Sequence, residues 1–310
     1  MKQLFVKFSS WGKRRIRKIL LFARKISLPG FQGQSLYMVG LLLFQGLSKG
    51  YIAERAAAVA FNFFTALFPL LLMTFTLIPY IPIDNCQNDI LLYLQSVMPI
   101  EIWNILEGTI TYIITRKSAG LLSIGFVFSL LFATGGISSL FSAFNRTYHS
   151  YTTAGNFLKQ KWYALIILLA VFFIIIVLIA LLGFGNKLIA FLVQDSPNAF
   201  GFAYYLYQSL RITLASLVVV FAIALIYYFA LPKPRTFKLF SPGSIVCSLL
   251  MIITTSGFSF FISNFSQYNI LYGSLGAILI LTMYLHLNST FILVGFEINR
   301  SIDVAKVKRK

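Results

Sequence analysis

His286 and Glu297 lie on the last apolar segment of the chain, where spacings of four, four and seven stack Thr282, His286, Thr290 and Glu297 on one helix face. An ionisable side chain in hydrocarbon costs about 3 kcal/mol or more unless it is paired or hydrated, so this face is the first place to look for chemistry. A histidine there suits a proton relay; the competing assignment is a neutral imidazole hydrogen-bonded to a neighbouring helix. Glu297 stands where Arg300 or another basic segment can pair with it. Asn62, Thr65, Pro69 and Thr76, spaced by three, four and seven, share a second face. Pro69 removes a backbone donor in mid-helix, which predicts a kink: either a packing feature or a broken-helix site lining a cavity. Ser248, Thr255, Ser259 and Ser263 form a hydroxyl row that fits a polar cavity or interhelical packing equally well. Ser129, Ala133, Gly136 and Ala143 form a small-residue face suited to close helix contact. Arg55, Arg146 and Arg235 flank apolar segments, where they either gather anionic headgroups or serve only to orient the chain.

Covalent catalysis has little to work with. There is no GxSxG elbow, Walker A loop, HExxH or zinc pattern, so the sequence predicts no catalytic residue, no metal and no cofactor. Cys86 and Cys247 fall in segments on opposite sides of the topology derived below and are expected to be unpaired and inert.

Apolar segments must position these residues. Of the 310 residues, 58% are hydrophobic and 11% charged, with a mean hydropathy of +0.83, against roughly 25% charged in a soluble domain. Uncharged runs near 20 residues predict six membrane crossings: within Ala56–Pro82, within Ser118–Phe144, Trp162–Phe184, Ile212–Leu231, and two between Leu239 and Phe296 divided by a polar turn at 264–269. Of 26 Lys and Arg residues, 22 fall in residues 1–55, 146–161, 233–238 and 300–310, which places those segments and both termini in the cytoplasm. No short apolar core with a cleavage site marks a signal peptide. The net charge of +18 is spread over alternate loops, which fits anionic membrane lipid and not nucleic acid. Residues 36–48 predict an interfacial helix, and Leu91, Leu94, Met98, Ile102 and Ile105 an external amphipathic one. The expected organisation is a basic cytoplasmic segment at 1–35, an all-α six-helix membrane domain at 36–302, and a basic cytoplasmic tail at 303–310.

Four stretches carry a resemblance: AERAAAVAFNFFTALFPLLL at 53–72, SLFSAFNRTYH at 139–149, ALPKPRTFKLFSPGSIVCSLL at 230–250, and YNILYGSLGAILILTMYLHLNSTFILVGFEINRSI at 268–302. Together they resemble the YihY/virulence factor BrkB family over roughly residues 35 to 302. The resemblance implies a bacterial inner-membrane protein of six helices with cytoplasmic termini. It also implies importance for Pro69, Asn145, Pro242, Gly243, Tyr272, Gly273, Gly295, Glu297 and Asn299. Relatives commonly carry Trp in the middle of the last helix, where this chain has Met283, Tyr284 and His286. Some members bear a ribonuclease BN label regarded as mistaken; others are associated with serum resistance and export of lipid A precursors or envelope lipids.

The expectation is a transporter or flippase-like protein for an envelope lipid or amphiphilic anion. Its path would be lined by Asn62, Thr65, Pro69, Asn145, His286, Thr290, Glu297 and Asn299, with Arg55, Arg146 and Arg235 at the cytoplasmic mouth. A scaffold for envelope assembly and a proton- or sodium-coupled small-solute transporter are the alternatives. The residues leave homo-oligomerisation and any assembly partner open.

Overall fold

The structure, a computed structural model, describes residues 22, 24, 26–80, 86–97, 100–148, 158–174, 200–230, 240–264 and 274–308. These form helices and turns with no strand among the described residues. Helix α1 is Leu36–Lys49, α2 Ile52–Leu77, α3 Cys86–Val97, α4 Ile100–Thr115 and α5 Ala119–Asn145. Residues 158–174 are helical (α6), followed by α7 Phe200–Ala230, α8 Pro242–Asn264 and α9 Ser274–Lys308.

Four of these helices are long and apolar enough to cross a membrane: Ile52–Tyr80, Ala119–Asn145, Ile212–Ala230 and Ile278–Lys308. They correspond to the first, second, fourth and sixth crossings expected from sequence. The third is described only over 158–174, and the apolar part of α8 is the shorter stretch Pro242–Phe258. Among the described residues, four helices are therefore long and apolar enough to span where six crossings are predicted.

Three boundaries differ from expectation. The segment expected to lie outside carries two described helices, α3 and α4, where one is expected; the sequence between them holds Pro99, a residue type with no N–H to donate. Leu91 and Leu94 pack beside the buried Ile78, Ile110 and Ile114, whereas Met98 and the side chains of Ile102 and Ile105 lie outside the described residues. Helix α7 begins at Phe200, so Arg211 stands inside a helix and not in a loop. Helix α9 runs on to Lys308; at about 1.5 Å per residue its 35 residues reach roughly 52 Å, well beyond a hydrocarbon core of about 30 Å. The extra turns are held by packing: Ile298, Ile302, Val304 and Ala305 close against Phe31, Val39 and Leu42 of the N-terminal loop and α1.

Helix α5 lies along α2 through its small residues: Gly125 meets the Met73 backbone and Gly136 the Phe63 ring, while Ser129 and Ala143 are buried. Helix α9 packs on α1, α2 and α8, and α8 also packs on α7. The main core gathers Ala56, Val59, Leu140, Phe144, Ala164, Ile167, Tyr227, Cys247, Leu293 and Phe296. Apolar side chains such as Phe126, Phe128, Leu131 and Phe132 on α5 remain exposed, as the lipid-facing side of a span must be.

Candidate functional site

The first turn of α2, the last turn of α5 and the end of α9 converge on a buried ion pair. Arg55 Nη2 donates to Glu297 Oε1 at 3.0 Å, with the two side chains only 8% and 1% exposed. Arg55 Nη1 donates to the Ala143 carbonyl at 2.7 Å, so a cation answers one of the carbonyls left unpaired at the end of α5. The Thr147 hydroxyl, just past that helix, donates to the same carboxylate oxygen. Beside the pair, Phe144 stacks on Phe296 at 4.1 Å between ring centroids, and Tyr227 meets both rings edge-on at 5.9 Å. This apolar surround strengthens the attraction by lowering the local dielectric, and raises the cost of losing either partner.

A second polar junction joins α8 to α9. Ser241 caps α8 by accepting from the Ser244 N–H at 3.1 Å; the Ser244 hydroxyl returns the contact by accepting from the Ser241 N–H at 3.1 Å. Pro242 then occupies the first helical position, where its missing N–H costs nothing. Asn299 reaches across from α9: its Oδ1 accepts from the Gly243 N–H at 2.9 Å and its Nδ2 donates to Ser241 Oγ at 3.0 Å. Gly243 and Gly295 bring the two backbones into contact, since a Cβ on either would collide with the other's carbonyl oxygen. The Tyr227 hydroxyl seals this crossing by donating to the Ile292 carbonyl at 2.7 Å.

A groove of about 670 Å³ opens between the α1–α2 junction and α9, lined by Leu47, Ser48, Tyr51, Ile52, Ala53, Glu54, His286, Leu287, Thr290 and Val294. Its volume lies in the range of small-molecule sites, and its mixture of aliphatic and polar side chains suits an amphiphile.

The residues expected to share one path are thus divided. His286 and Thr290 line the groove, the Thr290 hydroxyl donating to the His286 carbonyl at 2.8 Å. Glu297 and Asn299 instead hold helices together, and Arg55, expected at the headgroup interface, is turned inward to Glu297 because burial beside a carboxylate satisfies both charges. Asn62 and Thr65 bond within α2, to the Ala58 and Asn62 carbonyls at 2.8 and 3.0 Å, and neither lines the groove. Pro69 lies half-buried within α2, which continues through it as one helix. Asn145 ends α5 half-buried, and Arg146 caps that end exposed to the surroundings. Arg235, Tyr272 and Gly273 lie outside the described residues. In the hydroxyl row, Ser248 is buried and Thr255 meets the Tyr284 hydroxyl at 2.9 Å, while the side chains of Ser259 and Ser263 are not among those described. Cys247 is a free, buried thiol, and the Cys86 side chain is not described.

Several participants escaped the sequence reading. The Ser-Pro-Gly-Ser run at 241–244 is a legible cap signal, but Thr147 and Tyr227 offer none, because each acts across a tertiary contact.

The family model described as Virulence factor BrkB matches residues 43–310. The "Putative ribonuclease-like protein YfkH" of Bacillus subtilis (strain 168) is 27% identical over 255 residues, covering 82% of this chain and 90% of that protein. A "UPF0761 membrane protein" of Aggregatibacter aphrophilus (strain NJ8700) is 20% identical over 257 residues, 83% and 89% of the two chains. Another, from Photobacterium profundum, is 38% identical over 64 residues, about a fifth of each chain. No solved structure matches. With the model spanning the bundle from within α1 through the whole of α9, the chain belongs to the Virulence factor BrkB family.

Proposed function

We propose that this membrane protein moves an envelope lipid or related amphiphile, and that the groove between the α1–α2 junction and α9 is where the amphiphile enters. The groove itself carries the reading: aliphatic walls from Leu47, Ile52, Leu287 and Val294 stand beside Ser48, His286 and Thr290, and α2 and α9, which supply all of these but Leu47 and Ser48, are long and apolar enough to span. On this reading an acyl chain stays in lipid while its headgroup meets the polar side chains of the groove. The Arg55–Glu297 and Asn299–Gly243 junctions serve as its frame, fixing α9 against α2 and α8. The experiment is headgroup-labelled phospholipid in proteoliposomes, with a membrane-impermeant quencher reporting transfer between leaflets. Wild-type protein is expected to accelerate transfer and Thr290→Phe, which fills the groove, to abolish the acceleration while leaving the melting temperature within a few degrees.

A scaffold is the second reading, favoured by one observation: Arg55, Glu297 and Asn299 from the expected path are spent on direct helix-to-helix contacts. Transfer no faster than in protein-free vesicles would select it.

A further inference from the structure

The groove's charge runs against that of the molecule. The chain has a formal net charge of +18, yet no Lys or Arg lines the groove among the described residues, and its one acidic side chain is Glu54, with His286 on the facing helix. Lys49, next to the groove residue Ser48, has its ammonium over the Tyr148 ring at 5.7 Å, and Arg55, next to Glu54, is buried against Glu297. Among the described residues Glu54 has no ion-pair or hydrogen-bond partner. The free N–H groups at the start of α2 contribute about half a positive charge, which a full carboxylate outweighs.

Tyr51 adds the second component. It lies between α1 and α2 with φ 47° and ψ 47°, a left-handed conformation that bulky L residues rarely adopt; the residue is 73% exposed and lines the groove. Tyr51 and Glu54 both line the groove, where no Lys or Arg stands among the described residues; a phenol ring and a carboxylate in one such site are the chemistry that receives an ammonium group, the ring face attracting it and the carboxylate pairing with it.

Resting on the lipid reading above, we propose that the groove selects amphiphiles with an ammonium headgroup, as in a zwitterionic aminophospholipid, and that Tyr51 and Glu54 are the selecting residues. The preference is opposite to the one that net charge alone suggests. Hydroxyls of Ser48 and Thr290 stand on the remaining walls, and the aliphatic residues take the chain.

The test uses full-length protein in nanodiscs of equimolar phosphatidylethanolamine and phosphatidylglycerol, followed by extraction in detergent and mass spectrometry of retained lipid. Wild-type protein is expected to retain phosphatidylethanolamine over phosphatidylglycerol at a ratio of about five to one, Glu54→Gln and Tyr51→Ala to retain the equimolar bulk ratio, and Tyr51→Phe to keep most of the preference. Tyr51→Gly is the informative variant, since glycine accepts the left-handed backbone: it folds at least as stably as wild type and still loses the preference. Enrichment of phosphatidylglycerol, or a preference unchanged by Glu54→Gln, overturns the proposal. Leaflet-transfer assays on each lipid separate this failure from the other. Transfer of both lipids at equal rates sinks the ammonium selectivity alone, whereas retention that depends on Glu54 without any transfer sinks transport alone.

Discussion

At the scale of the residue, Glu297 concentrates the consequences. One carboxylate oxygen takes both the Arg55 guanidinium and the Thr147 hydroxyl, while Oε2 is buried with no partner among the described residues. Glu297→Gln removes the charge and leaves Arg55 buried without compensation, which is expected to cost about 3 to 5 kcal/mol and to show as a large fall in melting temperature in detergent. Replacing both partners, Arg55→Met with Glu297→Leu, should restore much of the loss, because an apolar pair of similar volume carries no desolvation cost. A double variant no more stable than Glu297→Gln would show that the pair does not act as a unit. Gly295→Ala presses a methyl into the Gly243 carbonyl and the Tyr227 hydroxyl and is expected to cost about 1 to 3 kcal/mol or more, read in the same melt. The presence of an acid near the end of the last span was legible from one sequence; its partner was not. Arg300 and several basic segments were equally good candidates, and only the packing of α2 and α5 on α9 selects Arg55.

At the scale of the element, capping and backbone approach decide where α8 begins. Asn299→Ala removes an acceptor from the Gly243 N–H and a donor to Ser241 Oγ, and about 1 kcal/mol of helix-start stabilisation should go with them. Hydrogen exchange at the first turn of α8 is the measurement, with faster exchange there and unchanged protection in α2 as the expected pattern. Long apolar helices were the easily read elements, since an uncharged run of sufficient length admits few alternatives in lipid. Their ends were harder. Helix α7 begins well before the apolar run that announced it, and α9 continues past its apolar part because its last turns bury Ile302, Val304 and Ala305 against α1. A hydropathy window sees neither effect. The stripe from Asn62 to Thr76 shares one face, expected as either a packing kink or a cavity lining, and Asn62, Thr65 and Thr76 turn their side chains to carbonyls of their own helix. That local satisfaction is available to any Asn or Thr in a helix and has no signature in spacing alone.

At the scale of the whole molecule, the clustered basic residues carry the expected orientation and the groove the proposed selectivity, and the two have opposite sign. Charge clustering in four segments predicts both termini in the cytoplasm, and reporter fusions at the two ends check it: activity of a cytoplasmic reporter at both is the expected result. The claim on which the functional reading turns is that amphiphiles pass through the groove beside Thr290. Thr290→Cys, in a chain also carrying Cys86→Ser and with the buried Cys247 kept, allows that passage to be closed and reopened by a bulky thiol reagent that reductant removes. In proteoliposomes, labelling is predicted to bring phospholipid transfer down to the protein-free rate and reduction to restore it in the same sample. Transfer that continues unchanged with the groove chemically filled would contradict the account.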